Sequence, residues 1–69
     1  MGKIYNISIK AARVERGFTQ ESIAEKLGIG RDYYIKLENG QAEMKPVYIY
    51  AIAYLLKMDA DFIRIPERV

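Results

Sequence analysis

The sequence predicts an all-α protein, a compact bundle of about five short helices. Glycine and proline residues divide the 69 residues into short segments, with breaks at Gly17, Gly28, Gly40, Pro46 and Pro66. Between these positions the apolar residues recur mostly three or four residues apart, which is the spacing of one helix face. Short segments joined by connections of two to six residues are typical of helix bundles.

The length and composition limit both the number of domains and the possible chemistry. A chain of 69 residues can build one hydrophobic core, so we expect a single domain over residues 1–69. It contains no Cys and no His, which removes disulfides, thiolate metal sites, the commonest metal ligand and the usual general base. The closest pair of carboxylates, Asp59 and Asp61, is more simply explained as the cap and first turn of a short helix. We therefore expect no metal, no cofactor and no enzymatic activity.

The charge balance favours anionic partners only weakly. There are 11 basic and 9 acidic residues, which gives a formal net charge of +2. The longest uncharged segment, residues 46–56, is far shorter than the ~20 residues that a membrane span needs. We expect no membrane partner and a cytoplasmic protein, either at the bacterial nucleoid or in a phage-infected cell.

The first two helices are predicted from their caps. The first is expected over residues 7–16, with Asn6 as its N-cap and Gly17 as its left-handed exit. The second is expected to begin after Thr19, a strong capping residue, and to end at Gly28. Their apolar spacing predicts these buried residues: Ile9, Ala12, Ile23, Ala24 and Leu27.

Three more helices follow. The third is expected over residues 31–38 and the fourth over residues 46–58, where proline occupies the first helical position. The fifth is one or two turns capped by Asp59. Their inward residues are predicted to be Tyr34, Leu37, Ile49, Ile52, Ala53 and Leu56. Residues 4–5 and 63–65 could form short strands, but segments this short do not decide the matter, and we treat both as termini.

A three-residue connection joins helices two and three. It consists of Gly28, Ile29 and Gly30. A turn this short that contains glycine makes the second helix leave at a steep angle, which is the geometry of a helix-turn-helix. Ala24 is small where the two crossing helices approach, and Ile29 is an apolar plug for the turn. The sequence therefore predicts a helix-turn-helix motif over about residues 19–39.

At this motif the sequence resembles the Cro/repressor-type helix-turn-helix domain of the lambda repressor-like (XRE) family. The resemblance rests on residues 20–30, which read QESIAEKLGIG, and on Leu37, Asn39 and Gly40 after them. It extends over about residues 7–63. It implies a lambda repressor-like DNA-binding domain that binds double-stranded DNA, with the third helix in the major groove and the second across the backbone.

The outward face of the third helix carries the predicted base contacts, which are Arg31, Asp32, Ile35 and Lys36. Arg31 could hold guanine through two hydrogen bonds. Asp32 could accept from cytosine or only orient Arg31, and Lys36 could reach a base or a phosphate. Ile35 could lie against a thymine methyl group. Alternatively, the charged members are ordinary solvated surface residues.

A second set is predicted to contact the DNA backbone and consists of Thr19, Gln20, Tyr33, Asn39 and Gln41. Thr19 and Gln20 stand at the positive end of helix two, where a phosphate oxygen can be bound. Asn39 matches a backbone-contacting position of the family. Tyr33 could instead cover the edge of the core.

Other positions of the family pattern are structural or deviate from it. Arg13 and Glu38 match an ion pair that orders the bundle in many members without touching DNA. Gly30 replaces the usual Ser or Thr cap, and Tyr34 stands where a smaller aliphatic residue is common. The loop over residues 41–44 is less basic than usual. These departures predict few phosphate contacts and a modest affinity for one copy.

The fourth helix is apolar on every side, and one stripe of it is enough for the core. A helix that is apolar all round is buried all round, so we expect a homodimer. Its predicted interface consists of Tyr48, Tyr54, Leu55, Phe62 and Ile65. The alternative is that the fifth helix covers these tyrosines within one monomer.

The sequence thus predicts a sequence-specific, double-stranded DNA-binding transcriptional regulator. We expect a repressor of phage, plasmid or restriction–modification type that reads a palindromic operator with residues 31–38 as a homodimer. The alternative is a protein-interaction module or antitoxin that uses the exposed aromatic face of residues 46–58.

Overall fold

The computed structural model describes residues 7–67. In chain order its elements are β1 (Ile7–Ser8), α1 (Ile9–Glu15), α2 (Gln20–Leu27), α3 (Arg31–Asn39), α4 (Pro46–Leu56), a 3₁₀ turn (Ala60–Phe62) and β2 (Ile63–Arg64). The four α-helices and the 3₁₀ turn of this part of the chain pack around one hydrophobic core. The predicted all-α class is therefore confirmed, with a minor pair of strands added to it.

The first helix begins two residues later than predicted. It starts at Ile9, and its N-cap is Ser8, whose hydroxyl oxygen accepts a hydrogen bond from the Ala11 amide at 3.0 Å. The expected start at residue 7 is wrong because the backbone there is extended and belongs to a strand. Asn6, the expected cap, lies outside the described residues.

The two strands are a feature that the sequence left undecided. β1 and β2 run parallel, and Ile7 is paired with Ile63. The treatment of residues 63–65 as a terminus rather than a strand is therefore wrong for the first two of them. This pairing joins the start of α1 to the segment that follows the 3₁₀ turn, and Ile63 is buried in the core. Residues 4–5, the other candidate strand, lie outside the described part of the chain.

The fourth helix ends at Leu56, two residues before the expected end. Lys57 adopts φ 57° and ψ 47°, the left-handed conformation, so the α-helical path stops there. The amide of Met58 then donates to the Ala53 carbonyl at 2.9 Å, which satisfies one of the terminal carbonyls of the helix. The expected fifth helix is a single 3₁₀ turn, and Asp59 is its cap as predicted.

The core is formed by apolar residues from every helix. Its buried members are Ile9, Ala12, Ile23, Ala24, Tyr34, Leu37, Met44, Ile49, Ile52, Ala53, Leu56 and Ile63. Tyr34 is the largest side chain that is fully buried. A tyrosine at the centre of so small a core needs a hydrogen-bond partner for its hydroxyl group.

Two negative observations concern residues 7–67. No helix in this range is both long and apolar enough to cross a membrane. Within the same range, no three acidic, His or Cys side chains are grouped in a way that could hold a metal ion.

The turn between α2 and α3 yields a stability prediction. Gly28 has φ 77°, where a Cβ atom is strained, so Gly28→Ala should lower the free energy of unfolding by about 1–2 kcal/mol. Urea denaturation followed by far-UV circular dichroism measures this change. Gly30→Ser is the matched control, because Gly30 has φ −71° and open space around it. It should keep or slightly raise stability through a side-chain cap. Equal stability of Gly28→Ala and the parent chain would contradict the prediction.

Candidate nucleic-acid interface

The connection between α2 and α3 has three residues, and each of them has a definite structural role. Gly28 ends α2 in the left-handed conformation, and the amide of Ile29 donates to the Ala24 carbonyl at 3.0 Å. Ile29 is half-buried against the core. Gly30 is the N-cap of α3 without a side-chain hydrogen bond, and its carbonyl accepts from the Tyr34 amide at 3.0 Å. The two helices are thus joined by a three-residue turn whose backbone is hydrogen-bonded to both of them.

The third helix has one buried face and one exposed face. Tyr34 and Leu37 are fully buried and fix the helix against the rest of the bundle. On the opposite side the predicted base contacts share one surface, with Arg31, Asp32 and Lys36 exposed and Ile35 half-buried. The division into a buried and an exposed face follows the 3.6-residue period of the helix. The inward position of Tyr34 and Leu37 therefore determines which other side chains of α3 face solvent.

Arg31 and Asp32 form a loose pair at the start of this exposed face. The distance between Arg31 Nη1 and Asp32 Oδ1 is 3.8 Å, and both side chains are largely exposed. A pair of this kind contributes little to stability. In this arrangement the Arg31 guanidinium group lies beside Asp32 in the first turn of α3.

A buried carboxylate connects α3 to the two helices before it. The carboxylate of Glu38 accepts from Arg13 Nε at 2.8 Å, from Gln20 Nε2 at 2.9 Å and from the Tyr34 hydroxyl at 2.9 Å. Arg13 Nη1 also donates to the Phe18 carbonyl at 2.8 Å. We call Arg13, Gln20, Tyr34 and Glu38 the Glu38 cluster. The structure thus brings together the predicted structural pair and two further polar residues.

The Glu38 cluster has a defined ionic state at neutral pH. Burial raises the pKa of the Glu38 carboxyl, but the hydrogen bonds from Arg13, Gln20 and Tyr34 outweigh it and hold this pKa below its ordinary value. The hydrogen bond with Glu38 raises the pKa of Arg13. Burial, together with the negative charge of Glu38, raises the pKa of Tyr34 strongly. The cluster therefore contains a carboxylate, a guanidinium and a neutral phenol.

The residues at the start of α2 already have internal partners. The Thr19 hydroxyl oxygen accepts from the Ser22 amide at 3.0 Å, and the Thr19 amide donates to Ser22 Oγ at 3.0 Å. Gln20, expected to contact the DNA backbone, has its amide nitrogen oriented by Glu38. A primary amide carries two N–H groups, so the bond to Glu38 accounts for one of the two.

Tyr33 lies on the flank of α3 that faces α4. Its ring meets the ring of Tyr48 edge to face, with the centroids 6.1 Å apart and the planes at 70°. Tyr33 remains partly exposed, so covering the core edge and offering a hydroxyl to a phosphate are compatible. Tyr48, expected at a dimer interface, is half-buried on this flank. Asn39 and Gln41 are exposed, at the end of α3 and in the loop that follows it.

The predicted dimer residues differ in their surroundings. Tyr54, Phe62 and Ile65 are exposed, whereas Leu55 is half-buried like Tyr48. The 3₁₀ turn therefore leaves Tyr54 uncovered within the described chain. Val47 and Tyr50, which the expected set did not include, are also exposed. Their spacing of three residues, opposite the core stripe of α4, is the signal that could have identified them.

Comparisons with known proteins point to one family. A family described as "Helix-turn-helix domain" matches residues 6–63. The chain is also similar to the "Uncharacterized HTH-type transcriptional regulator YqaF" of Bacillus subtilis (strain 168), with 53% identity over 32 residues. That alignment covers 46% of this chain and 42% of the relative, so the chain matches less than half the length of that protein. No solved structure matches the chain.

Removal of one hydroxyl group tests the Glu38 cluster. Tyr34→Phe should lower the free energy of unfolding by about 1.5–3 kcal/mol, because a hydrogen bond to a buried carboxylate is lost while the ring stays in the core. Tyr33→Phe, on the exposed flank of the same helix, is the matched control and should change stability by less than about 0.5 kcal/mol. Chemical denaturation of both variants gives the comparison. Similar effects at the two positions would refute the assigned role of the Tyr34 hydroxyl.

The lowered pKa of Glu38 predicts a specific acid sensitivity. A carboxyl group whose pKa is lower in the folded state stabilises the fold above its ordinary pKa of 4.5. This contribution is lost as the pH falls through the lower, folded-state pKa. The difference in unfolding free energy between the parent chain and Glu38→Gln should therefore shrink from pH 7 to about pH 3. Glu15→Gln, at an exposed position, controls for the loss of one negative charge. A difference that stays constant with pH would contradict the prediction.

Proposed function

The chain belongs to the helix-turn-helix domain family, and on that premise we propose that it is a sequence-specific regulator of transcription that binds double-stranded DNA. In this proposal α3 enters the major groove and α2 crosses the backbone. Two copies bind a palindromic operator, and occupation of that operator represses transcription. A phage, plasmid or restriction–modification system is the setting that we propose for it.

One observation carries this proposal: α3 is held by its buried face and presents a compact polar face to solvent. Tyr34 and Leu37 are fully buried, while Arg31, Asp32 and Lys36 are exposed on the other side. The major groove is about 12 Å wide and admits an α-helix whose outward side chains reach the base edges. A short hydrogen-bonded turn and a helix packed through its buried face therefore suit the reading of a defined sequence.

The proposed base contacts follow from the chemistry of the exposed face. Arg31 would donate two hydrogen bonds to O6 and N7 of a guanine, with its guanidinium oriented by Asp32. Lys36 lies one turn further along the helix and would reach a base or a phosphate. Ile35 is half-buried and would lie against a thymine methyl group.

The proposed backbone contacts lie at the edges of this face. Thr19 and Gln20 begin α2, and the second N–H of Gln20 would donate to a phosphate oxygen while the first stays on Glu38. Tyr33, Asn39 and Gln41 would supply further donors on the other side. These five contacts are neutral hydrogen bonds, so they add little to the salt dependence that ionic contacts produce.

The small net charge supports binding by two copies. With a formal charge of only +2, one copy would make few ionic contacts to phosphate and bind weakly. A dimer doubles the contacts and reads two half-sites related by the same two-fold axis. The homodimer is thus part of the proposed function.

Selection from random duplex DNA at near-physiological salt, followed by affinity measurement on the recovered sequence, tests the proposal. Recovery of a two-fold symmetric motif is the expected result. Arg31→Ala should weaken binding to that motif by about 5- to 150-fold, the range of one bidentate base contact. Arg16→Ala removes the same charge at the end of α1 and is the matched control.

Two outcomes would overturn the proposal. The first is that no sequence is enriched even at low salt. The second is that Arg31→Ala and Arg16→Ala weaken binding equally, which would indicate a general charge effect. In the first case the exposed aromatic residues of α4 would favour the alternative, a protein-interaction module or antitoxin.

A further inference from the structure

The fourth helix carries two apolar stripes on opposite sides. The first stripe, formed by Ile49, Ile52, Ala53 and Leu56, is buried in the core. The second has the same spacing of three, four and seven residues and consists of Val47, Tyr50, Ala51 and Tyr54. We call it the outer stripe of α4. Ala51 is half-buried, whereas the exposed fractions are 66% for Val47, 67% for Tyr50 and 81% for Tyr54, so the described chain leaves these three side chains largely uncovered.

The outer stripe borders an apolar hollow. Beside the N-terminal end of α4, a hollow of about 180 Å³ is lined by Met44, Pro46, Ile49, Tyr50 and Ile65. Tyr50 belongs to both the hollow and the stripe, so the two form one continuous surface. An apolar cavity of about 150 Å³ is large enough to bind benzene. The hollow therefore has room for one six-membered aromatic ring.

We propose that a second copy of this chain covers this surface, with the two α4 helices antiparallel and crossing at Ala51, and with Tyr54 of each copy inserted in the hollow of the other. This inference deepens the proposed homodimer and rests on it. The proposed interface differs from the one expected from the sequence. Tyr48 and Leu55 are half-buried within one copy, so the outer stripe forms the proposed contact instead of them.

The spacing along α4 supports this arrangement. When two identical helices cross antiparallel at residue 51, residue 54 of one copy lies opposite residue 48 of the other, at the end where the hollow opens. Ala51 is the smallest residue of the outer stripe, and a small residue at the crossing lets two helices approach closely. A two-fold axis makes the contact reciprocal, so each copy supplies one ring and one hollow.

The size and chemistry of the surface also favour a second copy. Buried aromatic side chains contribute about 150–250 Å² each, so Tyr50 and Tyr54 together with Val47 and Ile65 supply on the order of 500 Å² per copy. Two copies then bury roughly 1,000 Å², which is about the lower limit for a specific interface. None of the eleven residues of α4 is charged. The surface therefore has no charged group to select an acidic or basic partner and is complementary to itself.

Sedimentation equilibrium of the full chain over a range of concentrations tests the proposal. The parent chain should dimerise reversibly, and Tyr54→Arg should raise the dissociation constant at least about thirtyfold, the effect of losing an aromatic hot spot. Tyr54 is largely exposed in one copy, so circular dichroism should show an unchanged fold. Val14→Arg is the matched control, because Val14 is also an exposed apolar residue, 59% exposed on α1, and it should leave the dimer intact.

A cysteine crosslink tests the orientation of the two helices. The natural chain contains no cysteine, so Ala51→Cys introduces the sole thiol. At the proposed crossing the two thiols come within disulfide distance, and mild oxidation should give a covalent dimer. Val14→Cys should give no covalent dimer under the same conditions, because residue 14 lies on α1, away from the proposed crossing.

The outcomes separate this proposal from the proposed DNA binding. A parent chain that stays monomeric at every concentration, a Tyr54→Arg variant that dimerises as tightly as the parent, or equal crosslinking at residues 14 and 51 would each overturn the interface. A dimer that depends on Tyr54 but selects no duplex DNA would leave the interface standing and refute the proposed function. Selection of a duplex by a monomeric parent chain would overturn the interface and the proposed homodimer, and would leave the proposed sequence-specific DNA binding standing.

Discussion

The orientation of the exposed face of α3 depends on one buried carboxylate, that of Glu38. It stands near the end of α3 and accepts hydrogen bonds from Arg13 of α1, Gln20 of α2 and Tyr34 of its own helix. Removing a carboxylate from water is costly, and these donors together offset that cost. Because the donors come from different helices, the carboxylate can be satisfied only when the helices are assembled. The cluster therefore selects one relative orientation of α1, α2 and α3.

This arrangement links the interior of the protein to its proposed DNA contacts. Gln20 has one N–H on Glu38, so the orientation of its amide at the start of α2 depends on the position of α3. Tyr34 occupies the centre of the core and also supplies a hydroxyl to the cluster. A tyrosine in place of a smaller aliphatic residue therefore has a structural reason. The buried side chains of α3 determine which of its other side chains face solvent. In the proposed function, those exposed side chains enter the major groove of DNA.

The fourth helix is apolar on both sides, and only one side of it is buried in the core. Ile52 and Leu56 close the core, while Tyr50 and Tyr54 remain in water in a single copy. Exposed aromatic surface of this extent is unfavourable unless another molecule covers it. A dimer formed through the outer stripe would compensate for the low net charge, because it would bring two recognition helices to one duplex.

The sequence by itself determined the features that depend on neighbouring residues. The caps at Thr19 and Asp59, the end of α2 at Gly28 and the inward position of Leu37 follow from local hydrogen bonding, backbone sterics and helix periodicity. These forces act over four residues or fewer, so they can be read from the chain directly, and the family pattern around them was recognisable for the same reason.

Only the tertiary structure decided the contacts between distant residues. The pairing of Ile7 with Ile63 moved the start of α1, since a strand of two residues has no sequence period to reveal it. The attachment of Gln20 to Glu38 joins residues far apart in the chain. The inward stripe of α4 was predicted correctly, but which of its other residues stay uncovered depended on how the neighbouring helices packed. Tyr48 and Leu55 are half-buried whereas Val47 and Tyr50 are exposed, and since all four are apolar or aromatic, hydrophobicity alone could not separate them.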